Sequence, residues 1–169
     1  MIATISLRPA RLQDASLLME LIKAYYRFDE IPFHPGKIRP SLEALLRDAS
    51  LGRIWIIQDG RTAVGYVVVT FGYDLEFGGR VATITDLYLR PEYRRQGLGT
   101  NALKGVEREL RRSRVKTLEL QVTGANKSVL AFYRKNGFDR HDRIPMSKSI
   151  IPSPQKRQRR RWPKSLPAG

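Results

Sequence analysis

Hydrophobic residues recur along the chain with two periods, and these predict a mixed succession of strands and helices. Alternation of apolar and polar positions predicts strands at 2–7, 53–58, 61–72, 81–89 and 117–122, with a last strand near 139–146. A spacing of about 3.6 residues predicts a first helix capped by Asp14, a second from Ser41, and two more around 98–110 and 126–136.

Turn-forming residues separate these segments. Asp59-Gly60 joins two β-branched runs and predicts a tight hairpin, and Gly78-Gly79 predicts a second turn. Prolines and a glycine within 32–40 end the first helix, and Gly137 after Asn136 is typical of a helix C-terminus. The resulting order, βααβββαβαβ, indicates an α/β (α+β) fold with a mixed sheet.

Composition narrows the class of protein. A length of 169 residues with 41% hydrophobic residues favours one globular domain at 1–150, followed by a segment of different character at 151–169. The absence of cysteine excludes disulfides and a cysteine nucleophile, and two separated histidines, His34 and His141, predict no metal site. No apolar run is long enough to span a bilayer, so we expect a cytoplasmic protein without membrane contact.

The formal charge of +15 is unevenly distributed, because the segment 152–169 carries many cations and no acid. Its cations are Lys156, Arg157, Arg159, Arg160, Arg161 and Lys164. Prolines and a scarcity of apolar side chains predict disorder there. Two interpretations stay open: a solvated tail, or weak contact with nucleic acid through release of counterions.

The segment EYRRQGLG, residues 92–99, lies between a predicted strand and a predicted helix. The first turn of a helix leaves backbone N–H groups unpaired and partly positive, so it attracts anions. Gly97 and Gly99 would let a diphosphate approach these amides, and Arg94 and Arg95 add full charges. An ordinary turn would use the same residues, whereas the Walker A ending and the Rossmann glycine spacing are absent.

The stretch DLYLRPEYRRQGLGTNAL, followed by NKSVLAFYRKNGF, resembles the two signature regions of the GNAT superfamily of acetyl-CoA-dependent N-acetyltransferases. The resemblance covers residues 2–148 in element order. It implies a single-domain GNAT-like fold whose mostly antiparallel sheet has six to seven strands, splays at the centre and is flanked by about four helices. It also implies an acyltransferase that uses acetyl-CoA as co-substrate without a metal, and it allows a homodimer.

The resemblance implies positions for coenzyme A. Amides of residues 95–100 would hold the pyrophosphate, and the backbone of Leu87 and Leu89 would pair with the pantetheine arm as an added strand does. Asn126 resembles the residue that binds this arm, and Tyr133 the tyrosine beside the departing sulfur. The implied coenzyme set is Leu87, Tyr88, Leu89, Arg94, Arg95, Gln96, Gly97, Leu98, Gly99, Thr100, Asn126 and Tyr133.

Proton transfer suggests roles for three residues. A phenol with a pKa of about 10 can donate a proton to a departing thiolate, whose acid has a pKa of about 8.5, so Tyr133 is the predicted general acid. Packing against the coenzyme is the alternative role for Tyr133. The acceptor ammonium must lose a proton, and Thr85 stands where many members of the family have a glutamate. Asp86 and Glu76 are therefore the candidate bases, although regular alternation would point Asp86 away from the side that Thr85 faces.

Acids and aromatics gather in two segments, AYYRFDEIPF and FGYDLEFGG, which in the family wall the acceptor pocket. The expected acceptor residues are Tyr26, Phe28, Glu30, Tyr73 and Glu76. Such a cluster in a cationic chain suggests a cationic acceptor, and a polyamine or amino-sugar-like primary amine is the hypothesis. Ordinary core aromatics with solvated acids explain the same residues.

Two other functions stay open from the sequence. Thr85 in place of an acid would suit a non-catalytic sensor that binds acyl-CoA, and the arginine-rich tail would suit a basic nucleic-acid-binding module.

Overall fold

The computed structural model describes residues 5–122 and 126–151, and over these ranges it contains five strands and four α-helices. The strands are β1 (Ile5–Pro9), β2 (Gly52–Asp59), β3 (Thr62–Asp74), β4 (Gly79–Leu89) and β5 (Thr117–Leu120). The helices are α1 (Ala15–Phe28), α2 (Pro35–Arg47), α3 (Leu98–Arg112) and α4 (Lys127–Lys135). The basic segment 152–169, with its open interpretations, lies outside the described residues.

The strands form one sheet in the order β1-β2-β3-β4-β5. Neighbouring strands are antiparallel except β4 and β5, which are parallel, and this confirms a mixed, mostly antiparallel sheet. The prediction of six to seven strands is not confirmed, because the described residues form five and 139–146 contain no strand. In that segment Ile144 and Met146 are exposed, and Pro145 between them cannot donate to a ladder.

The second helix begins earlier than the sequence predicted. It starts at Pro35 rather than Ser41 and continues through Pro40. Proline suits the first helical position because its missing N–H would have no partner there. Pro40 costs the helix one internal hydrogen bond, and Leu42 is the buried residue of this helix.

The predicted apolar faces of the other helices form the core. In α1, Leu18, Leu21, Ile22 and Tyr25 are buried, and this helix contacts β3. The apolar stripe of α3 is buried as predicted, from Leu98 to Leu110. Asp14 lies at the start of α1, but its carboxylate accepts hydrogen bonds from Arg8 and from the Arg11 amide instead of capping the helix.

A β-bulge divides β4 into two halves. Val68 of β3 pairs with Asp86 and Val69 pairs with Ile84, so Thr85 is the extra residue. The ladder between β4 and β5 runs from Val81 to Ile84 over the described residues. The two parallel strands therefore part at the bulge, at the position where the resemblance implies a splayed sheet. None of the helices in 5–122 and 126–151 is long and apolar enough to cross a membrane.

Candidate active site

A cavity of about 490 Å3 lies beside the bulge in β4. Thr85 and Asp86 both line it, although regular alternation would point their side chains to opposite faces of the sheet. The extra residue changes this alternation, as bulges commonly do. The structure thereby brings Asp86, one of the two predicted bases, into the cavity.

Most walls of the cavity are aliphatic and come from α1, α2, the segment between them, and β2. They are Ile22, Ile31, Ile38, Leu42, Leu45 and Ile54. Tyr26 also lines the cavity, as expected for an acceptor residue, and Tyr25 lies beside it with ring centroids 5.8 Å apart. His34, Lys37 and Ser41 contribute the polar part of the α2 wall.

The carboxylate of Asp86 is held by a neighbouring phenol. The Tyr66 hydroxyl donates a hydrogen bond of 2.9 Å to Oδ2 of Asp86. Burial raises the pKa of Asp86 to about 6, the Tyr66 hydrogen bond lowers it in part, and the nearby charge of Asp29 raises it further. A carboxylate with a pKa near 6 is ionised at neutral pH and is a stronger base than an exposed aspartate.

The ring of Tyr66 belongs to a cluster of three tyrosines. The ring centroids of Tyr25, Tyr66 and Tyr88 lie 5.9–6.4 Å from one another in edge or tilted arrangements. All three side chains are buried. Burial together with the charges of Asp86 and Asp29 raises the pKa of Tyr25 well above its usual range, so this ring stays neutral. The cluster holds Asp86 in position through the hydroxyl of Tyr66.

Tyr133 lies on α4 with its hydroxyl inside the protein. The residue is 3% exposed and packs edge-on against Phe132 and Phe138. Its hydroxyl oxygen is buried and has no hydrogen-bond partner within 5–122 and 126–151. Burial raises the pKa of this phenol, so it is protonated at neutral pH. A buried phenol without a protein partner fits a group that donates to a bound ligand.

The second half of β4 has one edge turned away from β3. The Arg90 amide donates to the Val64 carbonyl on the β3 side, and antiparallel alternation therefore directs the N–H and C=O groups of Leu89 and Leu87 to the other edge. The Leu89 carbonyl accepts a hydrogen bond of 2.9 Å from Arg94 Nε on that edge, as this alternation requires. Since β5 pairs with β4 only as far as Ile84 in the described ranges, an extended ligand can add to this edge.

The start of α3 presents backbone amides without a capping side chain. Gly97 occupies the N-cap in the left-handed region, with φ +75°, and makes no side-chain cap. The position is exposed, and a Cβ built on Gly97 would meet no atom within 4 Å. Leu98 and Gly99 follow it and are buried as the first residues of the helix. This geometry fits an anion at the helix N-terminus, where the first N–H groups lack helical partners.

Two other residues of the loop face away from the core. Arg95 is exposed and has φ +60°, which is uncommon for a residue with a side chain. The Gln96 side chain donates to the Glu92 carbonyl over 2.8 Å and so closes the turn on itself. Thr100, in the first turn of α3, is half-buried.

Arg94 lies differently from what the sequence suggested. Its guanidinium carbon lies 4.1 Å from the ring centroid of Phe28 and 5.5 Å from that of Tyr88. Burial lowers the pKa of this arginine. The side chain therefore connects the loop to α1 and to β4, while Arg95 remains the exposed cation beside the helix start.

Asn126 caps α4. Its Oδ1 accepts hydrogen bonds from the Val129 amide and the Ser128 hydroxyl. This is the usual role of asparagine at a helix start, and it fixes the side chain at the same helix that carries Tyr133.

Several predicted acceptor residues do not line the cavity. Glu76 lies in the turn between β3 and β4 and forms an ion pair of 2.6 Å with Arg143, while Tyr73 is 75% exposed. Asp86 lies seven residues after Gly79 in β4, about 23 Å along an extended strand. Phe28 contacts Arg94, and Glu30 is exposed beyond the end of α1. Within the described ranges, no group of three acidic or imidazole side chains could hold a metal ion.

Tyr66 is the site residue that sequence reasoning missed. It lies in the run AVGYVVV, which reads as an ordinary buried strand. Its relation to Asp86 depends on the pairing of β3 with β4, in which Tyr66 is opposite Tyr88 and Val68 is opposite Asp86. A tyrosine inside an otherwise aliphatic strand was the available signal, because a buried phenol needs a partner.

Comparison with protein families gives one match across most of this region. A family model described as the acetyltransferase (GNAT) family matches residues 16–138.

Two curated relatives are similar over shorter stretches. The [ribosomal protein bS18]-alanine N-acetyltransferase of Escherichia coli (strain K12) is 38% identical over 58 residues, 34% of this chain and 39% of the relative. The thialysine N-epsilon-acetyltransferase of Bos taurus is 33% identical over 78 residues, 46% of this chain and 45% of the relative. The chain thus spans less than half the length of these relatives.

Solved structures are similar over nearly the whole described region. An integron cassette protein from the mobile metagenome of Cole Harbour Salt Marsh has a TM-score of 0.76 at 30% identity, covering 87% of this chain and 91% of that one. A predicted acetyltransferase from Clostridium acetobutylicum, solved with acetyl-CoA, has a TM-score of 0.71 at 20% identity, covering 86% of this chain and 96% of that one. The second likeness concerns the fold alone.

Proposed function

Because the chain belongs to the acetyltransferase (GNAT) family, we propose that it transfers an acetyl group from acetyl-CoA to the primary amine of a small molecule. The observation that carries the proposal is the position of Asp86 and Thr85, both at the cavity beside the bulge where β4 leaves β5. Membership of the family does not by itself identify the acceptor. The cavity supplies a place for an amine next to a carboxylate.

The residues around the parted strands fit coenzyme A at three points. The exposed N-terminus of α3, with Gly97 at its cap and Arg95 beside it, suits the pyrophosphate. The outer edge of β4 at Leu87 and Leu89 suits the amides of the pantetheine arm. The hydroxyl of Tyr133, which has no protein partner in the described ranges, suits the sulfur end.

Bound acetyl-CoA would supply the acetyl thioester, and the reaction would form an N–C bond while the C–S bond breaks. Asp86 accepts the proton that the acceptor ammonium must lose, directly or through one water. Tyr133 donates a proton to the departing thiolate. With no cysteine in the chain, the amine attacks the thioester directly in a ternary complex.

Asp86 is the better candidate for the base than Glu76. It lines the cavity, is partly shielded from water and has a pKa raised to about 6. Glu76 is an exposed residue paired with Arg143. Thr85 lacks the carboxylate of a base, and this suggested a non-catalytic sensor. In the proposed mechanism Asp86, the next residue, supplies that carboxylate.

Two measurements test the proposal. Saturating acetyl-CoA should raise the melting temperature, since a ligand that binds the folded state stabilises it. A panel of small amines, amino sugars, polyamines and peptides should include one that releases free thiol from acetyl-CoA. An unchanged melting curve together with no thiol release from any amine would refute the assignment. Stabilisation without amine-dependent thiol release would instead favour an acyl-CoA sensor.

A further inference from the structure

We infer that the acceptor of this enzyme is a primary amine on a compact hydrocarbon stem, rather than a polyamine or an amino sugar. The inference rests on the proposed acetyltransferase function and concerns the cavity beside the bulge. It replaces the expectation, drawn from the acidic and aromatic segments of the sequence, that the acceptor carries several charges or hydroxyls.

The first step is the chemistry of the cavity walls. Ile22, Ile31, Ile38, Leu42, Leu45 and Ile54 contribute aliphatic surface. Such walls bind methyl and methylene groups by removing them from water. They offer no hydrogen bonds to sugar hydroxyls, so the hydroxyls that face them would lose water without a replacement. Polar side chains from α2 and the residue before it, His34, Lys37 and Ser41, line only one part of the cavity.

The second step is the charge of the lining. Asp86 is the one carboxylate among the described residues that line the cavity, and Lys37 lines it too. One ammonium can therefore lie beside Asp86, whereas a second would meet either the aliphatic walls or the exposed ammonium of Lys37.

Four acids suggested a polycation, and none of them lines the cavity. Asp74 and Glu76 lie at the β3–β4 turn, where Glu76 pairs with Arg143, and Glu30 is exposed beyond the end of α1. Asp29 is buried, and its charge acts on Asp86 from outside the cavity lining.

The third step is size. A cavity of about 490 Å3 falls within the roughly 300–1,000 Å3 that small-molecule sites occupy. Tyr25 and Tyr26 add ring surface next to the aliphatic side chains, so an unbranched or aromatic stem finds contacts on several sides. Each additional methylene buried there should raise kcat/KM about fourfold until the cavity is filled.

A matched pair of acceptors tests the inference. 1-Aminohexane and 1,6-diaminohexane have the same length and differ in one terminal group, a methyl in the first and an ammonium in the second. We expect kcat/KM to be at least about tenfold higher for 1-aminohexane, and to fall along the series hexyl, butyl, ethyl. D-Glucosamine should react more slowly than either hexyl compound.

A charge reversal on the cavity wall provides a second test of the inference. Lys37→Glu places a carboxylate where the second ammonium of the diamine would lie, so the preference for 1-aminohexane should shrink several-fold. Lys23→Glu is the matched control, because Lys23 is exposed on α1 and does not line the cavity. This control should keep the wild-type preference.

The outcomes separate the inference from the function on which it rests. Equal or better use of 1,6-diaminohexane or glucosamine by the wild-type protein would overturn the inference and leave the acetyltransferase function standing. Turnover of peptides or sugars with no turnover of 1-aminohexane would overturn it in the same way. Failure of acetyl-CoA to raise the melting temperature, with no thiol release from any amine, would refute the function itself.

Discussion

The hydroxyl of Tyr66 on β3 donates a hydrogen bond of 2.9 Å to Oδ2 of Asp86, the residue that follows the bulge in β4. Tyr66 is fully buried, so its phenol has one fixed direction. Asp86 is thereby held with one oxygen toward the core while its side chain lines the cavity. This contact joins the packing of the sheet to the proposed proton transfer.

Asp86→Asn should lower kcat by about a hundredfold or more, since removal of a general base typically costs 10²–10⁴-fold. The raised pKa fixes the pH dependence of the wild-type enzyme. Asp86 must be ionised to accept a proton. Below a pH of about 6, activity should therefore fall by about tenfold per pH unit, in addition to the loss caused by protonation of the acceptor amine. The measurement is thiol release with a fixed acceptor from pH 5 to 9. The additional loss should be absent in the variant.

Glu76→Gln is the matched test of the other predicted base. It removes a carboxylate at the β3–β4 turn and breaks an exposed ion pair, which contributes little to stability. Activity within a factor of about two of wild type is expected. A loss as large as that of Asp86→Asn would transfer the base assignment to Glu76.

Tyr66→Phe should shift the acidic limb of the pH profile to higher pH. The Tyr66 hydrogen bond lowers the pKa of Asp86, so its removal leaves burial and the charge of Asp29 to raise that pKa above about 6. A variant that kept the wild-type midpoint but had a lower melting temperature would show that Tyr66 serves only the core.

The ionised carboxylate of Asp86 should lower the stability of the folded protein at neutral pH rather than add to it. Its folded-state pKa lies above the ordinary value near 3.8, so the folded protein binds this proton more tightly than the unfolded chain does. The contribution of this group to stability is therefore greatest below pH 4 and declines as pH rises through about 6. Asp86→Asn should melt at the same or a higher temperature than wild type at pH 7 while losing activity. A large drop in melting temperature would contradict this.

Tyr133→Phe should lower kcat more than it lowers affinity for acetyl-CoA. The substitution removes a buried hydroxyl that has no protein partner in the described ranges and leaves the edge contacts with Phe132 and Phe138. Single-turnover kinetics with calorimetric binding of acetyl-CoA separate the two effects. Unchanged turnover would assign Tyr133 to packing against the coenzyme, the alternative that the sequence left open.

Gly97→Glu should abolish the stabilisation by acetyl-CoA, because it adds bulk and negative charge at the start of α3. Gly60→Glu is the matched control, since Gly60 is also left-handed, with φ +58°, and also has open space around a built Cβ. Both variants should lose a similar amount of stability, about 1–2 kcal/mol from the strained backbone. Loss of the acetyl-CoA shift in both variants would indicate a general effect of unfolding.

Most of the fold could be predicted from periodicity. The stripes of α1 and α3 and the hairpin at Asp59-Gly60 follow from local spacing, which the sequence displays directly. The predicted start of α2 was wrong because prolines usually break helices. Pro35 occupies the first helical position, which suits proline, and the helix continues through Pro40 with the loss of one hydrogen bond. The expected strand at 139–146 failed because Ile144 and Met146 find no buried face.

The site was harder to predict because it depends on strand register. Asp86 was a candidate only if a bulge changed its facing, and nothing in the local sequence marks Thr85 as an extra residue. Glu76 and Tyr73 are close to Asp86 in sequence but lie at the opposite end of β4. Tyr66 was missed because a partner twenty residues away along the chain is visible only after β3 and β4 are paired.

The weak burial of α2 affects how easily the cavity can change in evolution. This helix contributes several walls of the cavity, yet Leu42 is its single buried residue. The proposed coenzyme-binding residues instead belong mainly to β4 and α3, whose apolar side chains are part of the central core. Under the proposed function, substitutions in α2 would change which amine is accepted and leave the residues proposed to bind acetyl-CoA unchanged. New acceptor preferences would then arise through single substitutions in one helix.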